Sequence, residues 1–198
     1  MRRIEGYVIV SPDGMLADSK GQMPDTIRND ADQRFFQEAL DRAAVVVHGR
    51  HSHEGGPHAG RRKRLVLTRQ VASLAPDPDY PKALFWNPLG ASLDQALERL
   101  GVGDGTVAVI GGPEVFSLFL PLYDAFHLSV AAKAKIPGGL AVFTEVGPNA
   151  TPEDVLLRRG FRPGPRRDLD AAAGVSVVTW ERRGDARKDE PPAMIQSA

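Results

Sequence analysis

The chain contains no cysteine, which excludes disulfides, thiol nucleophiles and cysteine-ligated metals, and suits a reducing compartment. It also lacks an excess of either charge. The 25 Lys and Arg residues balance 25 Asp and Glu, so no whole-molecule field draws it to nucleic acid or to a membrane surface. No apolar run approaches the roughly 20 residues that span a bilayer, and Met1-Arg2-Arg3 leads into a strand-like segment rather than a signal-peptide core. Internal repeats are absent too. These absences lead to the expectation of a cytoplasmic protein whose partners are small molecules; a homodimer is left open.

What is present is an alternation of strand-like and helix-like segments. Residues Ile4–Ser11, Ala44–His48, Lys63–Thr68, Ala83–Trp86, Val107–Ile110 and Ala125–Val130 read as strands. Asn29–Arg42, Leu93–Leu100 and Pro113–Leu120 have helical period, and a polar loop covers Pro12–Arg28. That order predicts an α/β fold: a three-layer α-β-α sandwich around a mostly parallel twisted sheet. Val155–Phe161 and Val175–Arg182 read as two strands with no clear helix between them, so the expected ending is a C-terminal antiparallel hairpin at one edge. One domain over residues 1–183 is expected, long enough to bury a substantial core. The charged, Pro-containing stretch 184–198 is expected to be a disordered tail.

Two glycine sites carry the chemistry. In VVVHGRHSHEGGPHAGRRKRLVLT, Val45 to Thr68, an apolar strand runs into Gly49, Arg50, His51 and Ser52, and a basic run follows before the next strand. Glycine at the end of a parallel strand lets backbone approach a ligand, and amides, an arginine and a hydroxyl can hold phosphate oxygens. The second site is TVAVIGGPEVF, where a strand meets Gly111-Gly112, then Pro113 at a first helical position and Glu114 near the positive helix end. Strand, glycine turn and helix start form a generic dinucleotide cradle. Either site alone is weak evidence, since glycine turns between strand and helix often serve only packing.

The helix from Asn29 places Phe35, Phe36, Ala39, Leu40 and Ala43 on one apolar arc with Asp32 near its centre, while Asp30 falls on the opposite face. A carboxylate aimed at an apolar side must be paired or have a raised pKa, which makes Asp32 a candidate proton-handling group. The competing reading is local: with Asn29 as N-cap, Asp32 is the third helical residue, where an acid can bond back to the cap. A separate class of function rests on four of the five histidines, His48, His51, His53 and His58, which fall within eleven residues as a metal-binding tract. Apart from Glu54 that tract offers no carboxylate at a recognised spacing, so no metal is expected.

Taken in order, these segments resemble the dihydrofolate reductase superfamily, which includes the pyrimidine reductase domain of riboflavin biosynthesis, from about Ile4 to Phe143. YVIVSPDGMLA is similar to the first strand and glycine turn, with the SPDG form closer to the riboflavin branch, and Met23-Pro24 resembles the end of the mobile active-site loop. GRHSHE resembles the Gly-Arg-x-Thr-x-Glu cofactor motif, AGRRKRLVLT the glycine-arginine strand entry, VIGGPEVF the Gly-Gly signature, and FLPLYDAFHLS the segment after it. The resemblance implies NADPH as cofactor. Arg50, His51 and Ser52 would meet its phosphates, with Thr68 and Arg69 beside the adenosine 2′-phosphate. Gly49 would allow the close approach, and Gly111, Gly112, Pro113, Glu114 and Val115 would meet the pyrophosphate and nicotinamide side, with Phe116 as the aromatic there.

The substrate-binding acid of the family best matches Asp32, which precedes Phe36 by four, whereas counting from Met23-Pro24 selects Asp30. Ser129 resembles the threonine that hydrogen-bonds that acid, and Arg61 or Arg62 the arginine that binds the glutamate carboxylate of folate. Met23, Phe35 and Phe36 are the candidate walls for a flat ring. The implied activity is hydride transfer to a reduced-pterin C=N, with reduction of 5-amino-6-(5-phosphoribosylamino)uracil as the alternative. Three departures bear on this. Asp25 stands where dihydrofolate reductases have tryptophan, Gly139-Leu140-Ala141 where they have Gly-Asp-Thr, and Ile110-Gly111-Gly112 where riboflavin reductases have Glu-Gly-Gly. Asp25 and Leu140 also suggest a third reading, a nucleotide-binding protein without turnover.

Overall fold

Short β-branched runs buried on both faces, such as Val45-Val46-Val47, have nowhere to go but the middle of a sheet covered on both sides. The computed structural model, which describes residues 1–52 and 59–182, builds this sheet from strands that are interleaved with helices along the chain. The elements are β1 (Arg2–Val10), β2 (Met15–Ala17), α1 (Asp30–Arg42), β3 (Val45–Gly49), β4 (Arg64–Leu67), β5 (Leu74–Pro76) and β6 (Ala83–Trp86). There follow α2 (Leu93–Arg99), β7 (Gly105–Val109), α3 (Pro113–Phe119), β8 (Ala125–Ala131), β9 (Leu140–Ala141), α4 (Pro152–Arg158), β10 (Phe161–Asp170) and β11 (Val175–Arg182). Single 3₁₀ turns occupy Asp25–Ile27 and Ala59–Arg61.

Nine strands form one sheet in the order β10-β11-β8-β1-β7-β3-β4-β6-β5. The six from β8 to β6 are parallel; β5 pairs antiparallel with β6 at one edge, and at the other β11 pairs antiparallel with β8 and β10 antiparallel with β11. Side chains alternate between two layers. Tyr7, Val46 and Ala108 face α1, where Ala39 and Leu40 cover them. Val10, Val47, Val107 and Val109 face the other way, onto a larger core supplied by α2, α3 and α4 that includes Leu97, Phe116, Phe119, Val155 and Leu156. The fold is therefore the α/β three-layer sandwich with a mostly parallel sheet and a C-terminal antiparallel hairpin. No helix among the described residues is long and apolar enough to cross a membrane.

Several elements differ from the sequence expectation. Residues 155–158, read as strand, are the end of helix α4, and the hairpin's first strand runs from Phe161 to Asp170. Thr151 and Asp154 form a reciprocal capping box and Pro152 takes the first helical turn, so the start signal overrides the strand-like Val155-Leu156-Leu157 run. The real strand β10 carries Pro163, Gly164 and Pro165 and a register shift between Pro163 and Arg166, which disguise it in the sequence. Residues 15–17, expected within the polar loop, form the short strand β2, which pairs with β9 and staples the segment after β1 to the segment after β8. The expected tail at 184–198 lies outside the described residues, as do His53, Glu54 and His58.

Candidate active site

The carboxyl ends of the parallel strands open onto a cavity of about 400 Å³. One wall is α1, with Asp32, Phe35 and Phe36; the floor is β1 and β8, with Tyr7, Ile9, His127 and Ser129. The segment after β1 closes it with Leu16, Ala17 and Met23, the last 38% exposed. On the remaining side lie His51 and Ser52 after β3, then Ile110, Gly112 and Phe116 around the β7–α3 turn. This is the position at which open α/β sheets bind ligands.

Asp32 is the carboxyl of this cavity. It is 8% exposed, and burial raises its pKa while a hydrogen bond with Ser129 acts in the opposite direction and leaves it raised. Its place follows from the helix start: the Asn29 side chain accepts from the amides of Ala31 and Asp32, which frees the Asp32 carboxyl from capping and turns it toward Ser129 on β8. Asp30 is exposed at the first helical position, away from the cavity.

The glycine edge is built from backbone. The Gly49 amide donates to the Gly111 carbonyl at 2.7 Å, joining the end of β3 to the turn after β7, and the Ser52 amide returns to the Gly49 carbonyl at 3.0 Å. Gly111 has φ of 108° and an added Cβ would stand 2.7 Å from the Phe116 ring, so both its backbone and its space require glycine. A Cβ on Gly112 would reach 3.0 Å from Ser52 Oγ, filling the gap between the two strand ends. Gly112 caps α3 without a side-chain bond, with Pro113 and Glu114 in the first turn and Val115 and Phe116 buried behind. Arg50 is exposed, its Nη2 3.4 Å from His51 Nε2, and the Thr68 hydroxyl accepts from the Gln70 amide beside the exposed Arg69. These three residues lie outside the cavity itself, at the ends of the neighbouring strands.

The basic run is placed differently from the folate analogy. Arg62, 9% exposed, donates to Asp41 and Gln37 of α1, and Arg61 is exposed with its carbonyl accepting from Lys82. Neither lines the cavity. Of the histidine tract, His48 is buried with Nδ1 2.8 Å from the Gly49 carbonyl, and His51 lines the cavity. No group of three residues placed to hold a metal occurs among the described residues.

The sequence reading missed a cluster at the far end of the floor. Tyr7 stacks on His127 with centroids 4.4 Å apart and planes 13° off parallel, and Phe35 meets His127 edge-on. The Tyr7 hydroxyl donates to Glu5 Oε2, His127 Nε2 lies 3.3 Å from the same oxygen, and its Nδ1 lies 3.0 Å from Thr179 Oγ1. Burial acts to raise the Glu5 pKa, but hydrogen bonds from His127, Tyr7 and Arg3 outweigh it and hold the carboxyl at about 2. Glu5 as an anion only accepts, so both polar ends of the aromatic pair are directed away from the cavity, which sees ring surface. The signal was in the alternation: strand period puts His127 on the face of Ser129, and the parallel register pairs it with Tyr7.

No family model and no curated protein matches the chain. Solved structures do match in shape. A protein described provisionally as a riboflavin biosynthesis protein, from Shewanella sp. PV-4, superposes with a TM-score of 0.61 at 18% identity, over 91% of this chain and 99% of that one. The diaminohydroxyphosphoribosylaminopyrimidine deaminase/5-amino-6-(5-phosphoribosylamino)uracil reductase of Thermotoga maritima gives 0.63 at 18% identity, over 92% of this chain but 57% of that larger one. Dihydrofolate reductase from Enterococcus faecalis, complexed with NADP(H) and RAB-propyl, gives 0.60 at 18% identity, over 91% and 96%. The chain thus has the dihydrofolate reductase-like fold.

Proposed function

We propose that this chain is an NADPH-dependent reductase that delivers hydride to a C=N bond of a reduced pterin such as dihydrofolate. The observation that carries the reading is Asp32: a buried carboxyl with a raised pKa, bonded to Ser129, in a cavity that opens onto the glycine edge. The cofactor, when bound, supplies the hydride. The gap between Gly112 and Ser52 fits it, because a backbone cradle with a hydroxyl and a flanking arginine suits phosphate oxygens. Arg50, His51 and Ser52 would hold the diphosphate, and Thr68 with Arg69 the 2′-phosphate.

The remaining chemistry falls to the chain's own residues. Asp32 accepts from ring N–H and amino groups and favours the protonated form of the substrate, which makes the acceptor carbon more electrophilic. Ser129 holds the carboxyl in place. Phe35, Phe36 and Met23 offer flat and flexible apolar surface to a planar ring, and the segment between Pro12 and Asp25 covers the opening and excludes water. Among the described lining residues there is one carboxylate, Asp32, and no lysine or arginine, which favours a neutral or cationic ring beside Asp32.

The second reading, reduction of the phosphoribosylamino pyrimidine, is favoured by Asp25, which is exposed in an ion pair with Arg28 where an aromatic wall would otherwise stand. Steady-state NADPH consumption by the purified protein decides. Saturable dependence on dihydrofolate supports the first reading, and turnover with the pyrimidine alone replaces it with the second. NADPH binding without turnover of either makes the chain a nucleotide-binding protein.

A further inference from the structure

The first turn of α1 carries Asp32, and one side chain holds that turn. Asn29 Oδ1 accepts from the amides of Ala31 at 2.9 Å and Asp32 at 3.1 Å. An amide side chain has a second end, and here Nδ2 donates to Asp170 Oδ2 at 2.9 Å, across 141 positions of sequence. Asp170 is the last residue of β10. Its other oxygen accepts from the Ala173 amide at 2.9 Å inside the β10–β11 turn. Lys133, just past β8, ties the same turn from the other side by donating to the Ala172 carbonyl at 2.7 Å. Leu169 and Ala173 of that turn region also pack in the small apolar cluster of Ile9, Ile27 and Val175, so the turn supports the segment leading into α1 as well.

We infer that Asp170 is a positioning residue for Asp32: through Asn29 it sets the orientation of the first turn of α1, and with it the place of the Asp32 carboxyl against Ser129. The reason is the asymmetry of the amide. The oxygen and nitrogen ends of Asn29 are nearly the same size, and only the oxygen end can cap amide donors. An acceptor-only carboxylate at Asp170 selects the orientation in which the nitrogen points outward and the oxygen points at the helix. The Ala173 amide, followed by the Asn29 side chain, keeps Asp170 ionised by lowering its pKa. A neutral group there would let the amide turn over and present a donor to the Ala31 and Asp32 amides. The importance of that placement for catalysis rests on the reading of Asp32 as the site acid; the placement itself does not.

A swap of the two partners tests it. Asp170→Asn leaves the Ala173 bond or the Asn29 bond unmade, and Asn29→Asp sets two carboxylates against each other. The double variant restores complementarity with donor and acceptor reversed: the new amide keeps its oxygen for the Ala173 amide and offers its nitrogen to the new cap carboxylate. Amide hydrogen exchange on the full chain should show about fivefold or greater loss of protection at Ala31 and Asp32 in each single variant, with α2 unchanged. The double variant should return to within about twofold of the parent, from the same hydrogen-bond magnitudes. If dihydrofolate is turned over, kcat should follow the same pattern while KM for NADPH stays constant. Unchanged protection in both single variants overturns the inference, as does a double variant that is unprotected or unfolded. A parent without turnover but with the expected exchange pattern counts against the proposed function alone.

Discussion

Replacing Asp32 by asparagine keeps the shape of the side chain and removes its charge. The amide can still bond to Ser129, but it cannot share a proton with a bound heterocycle. A hydrogen bond to a charged group is worth about 1.5–3 kcal/mol, which is roughly 10- to 150-fold at about 1.4 kcal/mol per decade. Acid–base assistance has a similar scale, about 10²- to 10⁴-fold. Asp32→Asn should therefore lower kcat/KM for dihydrofolate by about 10²-fold or more, with KM for NADPH unchanged because the phosphate edge belongs to β3 and β7. Stability should move the other way. A buried acid with a raised pKa holds its proton longer in the folded state than in the unfolded one, so folding is weakened as pH rises through the ordinary carboxylate range. The variant escapes that penalty: its Tm at neutral pH should equal or exceed the parent's, and the difference should vanish below about pH 4. Asp30→Asn, at an exposed position, should leave both quantities alone. Initial rates and thermal melts at several pH values give the answer. A larger rate loss for Asp30→Asn than for Asp32→Asn would refute the argument, since it would place the functional carboxyl on the opposite helix face.

Arg50→Ala and Arg69→Ala should each weaken NADPH binding by roughly tenfold or more, at least one of them sparing NADH, as titration of cofactor fluorescence would report; equal affinity of the parent for both cofactors would contradict the 2′-phosphate assignment. Gly111→Ala should melt earlier and lose cofactor affinity together, because the new methyl meets the Phe116 ring and the residue is held at positive φ. A melting curve identical to the parent's would show that the turn relaxes freely. Glu5→Gln should destabilise the protein at neutral pH. Because Glu5 is held at about 2 by its partners, its contribution is present above the ordinary carboxylate range and lost as pH falls toward 2, so the gap between variant and parent should close in that interval. A gap that stays constant with pH would assign the loss to packing instead.

The parallel strands and α1 were legible because their signals are local. A four-residue apolar run between turn residues, or a 3.6-residue stripe behind an Asn cap, needs no knowledge of the rest of the chain. The same stripe offered Asp32 toward the sheet as one of two readings, and only the family resemblance pointed to Ser129 as its partner. What was lost depends on distant partners. The two-residue strand β9 exists because β2 lies beside it, and β10 hides behind prolines that a neighbour's register tolerates. Thr151 and Asp154 carried a readable helix start, overlooked because the apolar residues after it also suit a strand. Arg62 looked available for an anionic substrate, yet Asp41, 21 residues earlier on α1, holds it. Glu5 and His127 are 122 residues apart and meet only through the register of β1 with β8.

The irregular edge strand β10 bears on how copies of this chain behave in a crowded solution. A growing intermolecular sheet needs an unbroken row of donors and acceptors on its last strand. Pro163 and Pro165 have no N–H to contribute, the register shift after Pro163 breaks the row, and Arg162, Arg166, Arg167 and Asp168 surround it with exposed charge. Strand-by-strand accretion from this side is therefore blocked by composition as well as by geometry. Two copies that meet on this side must do so through side chains, not through hydrogen-bonded backbone.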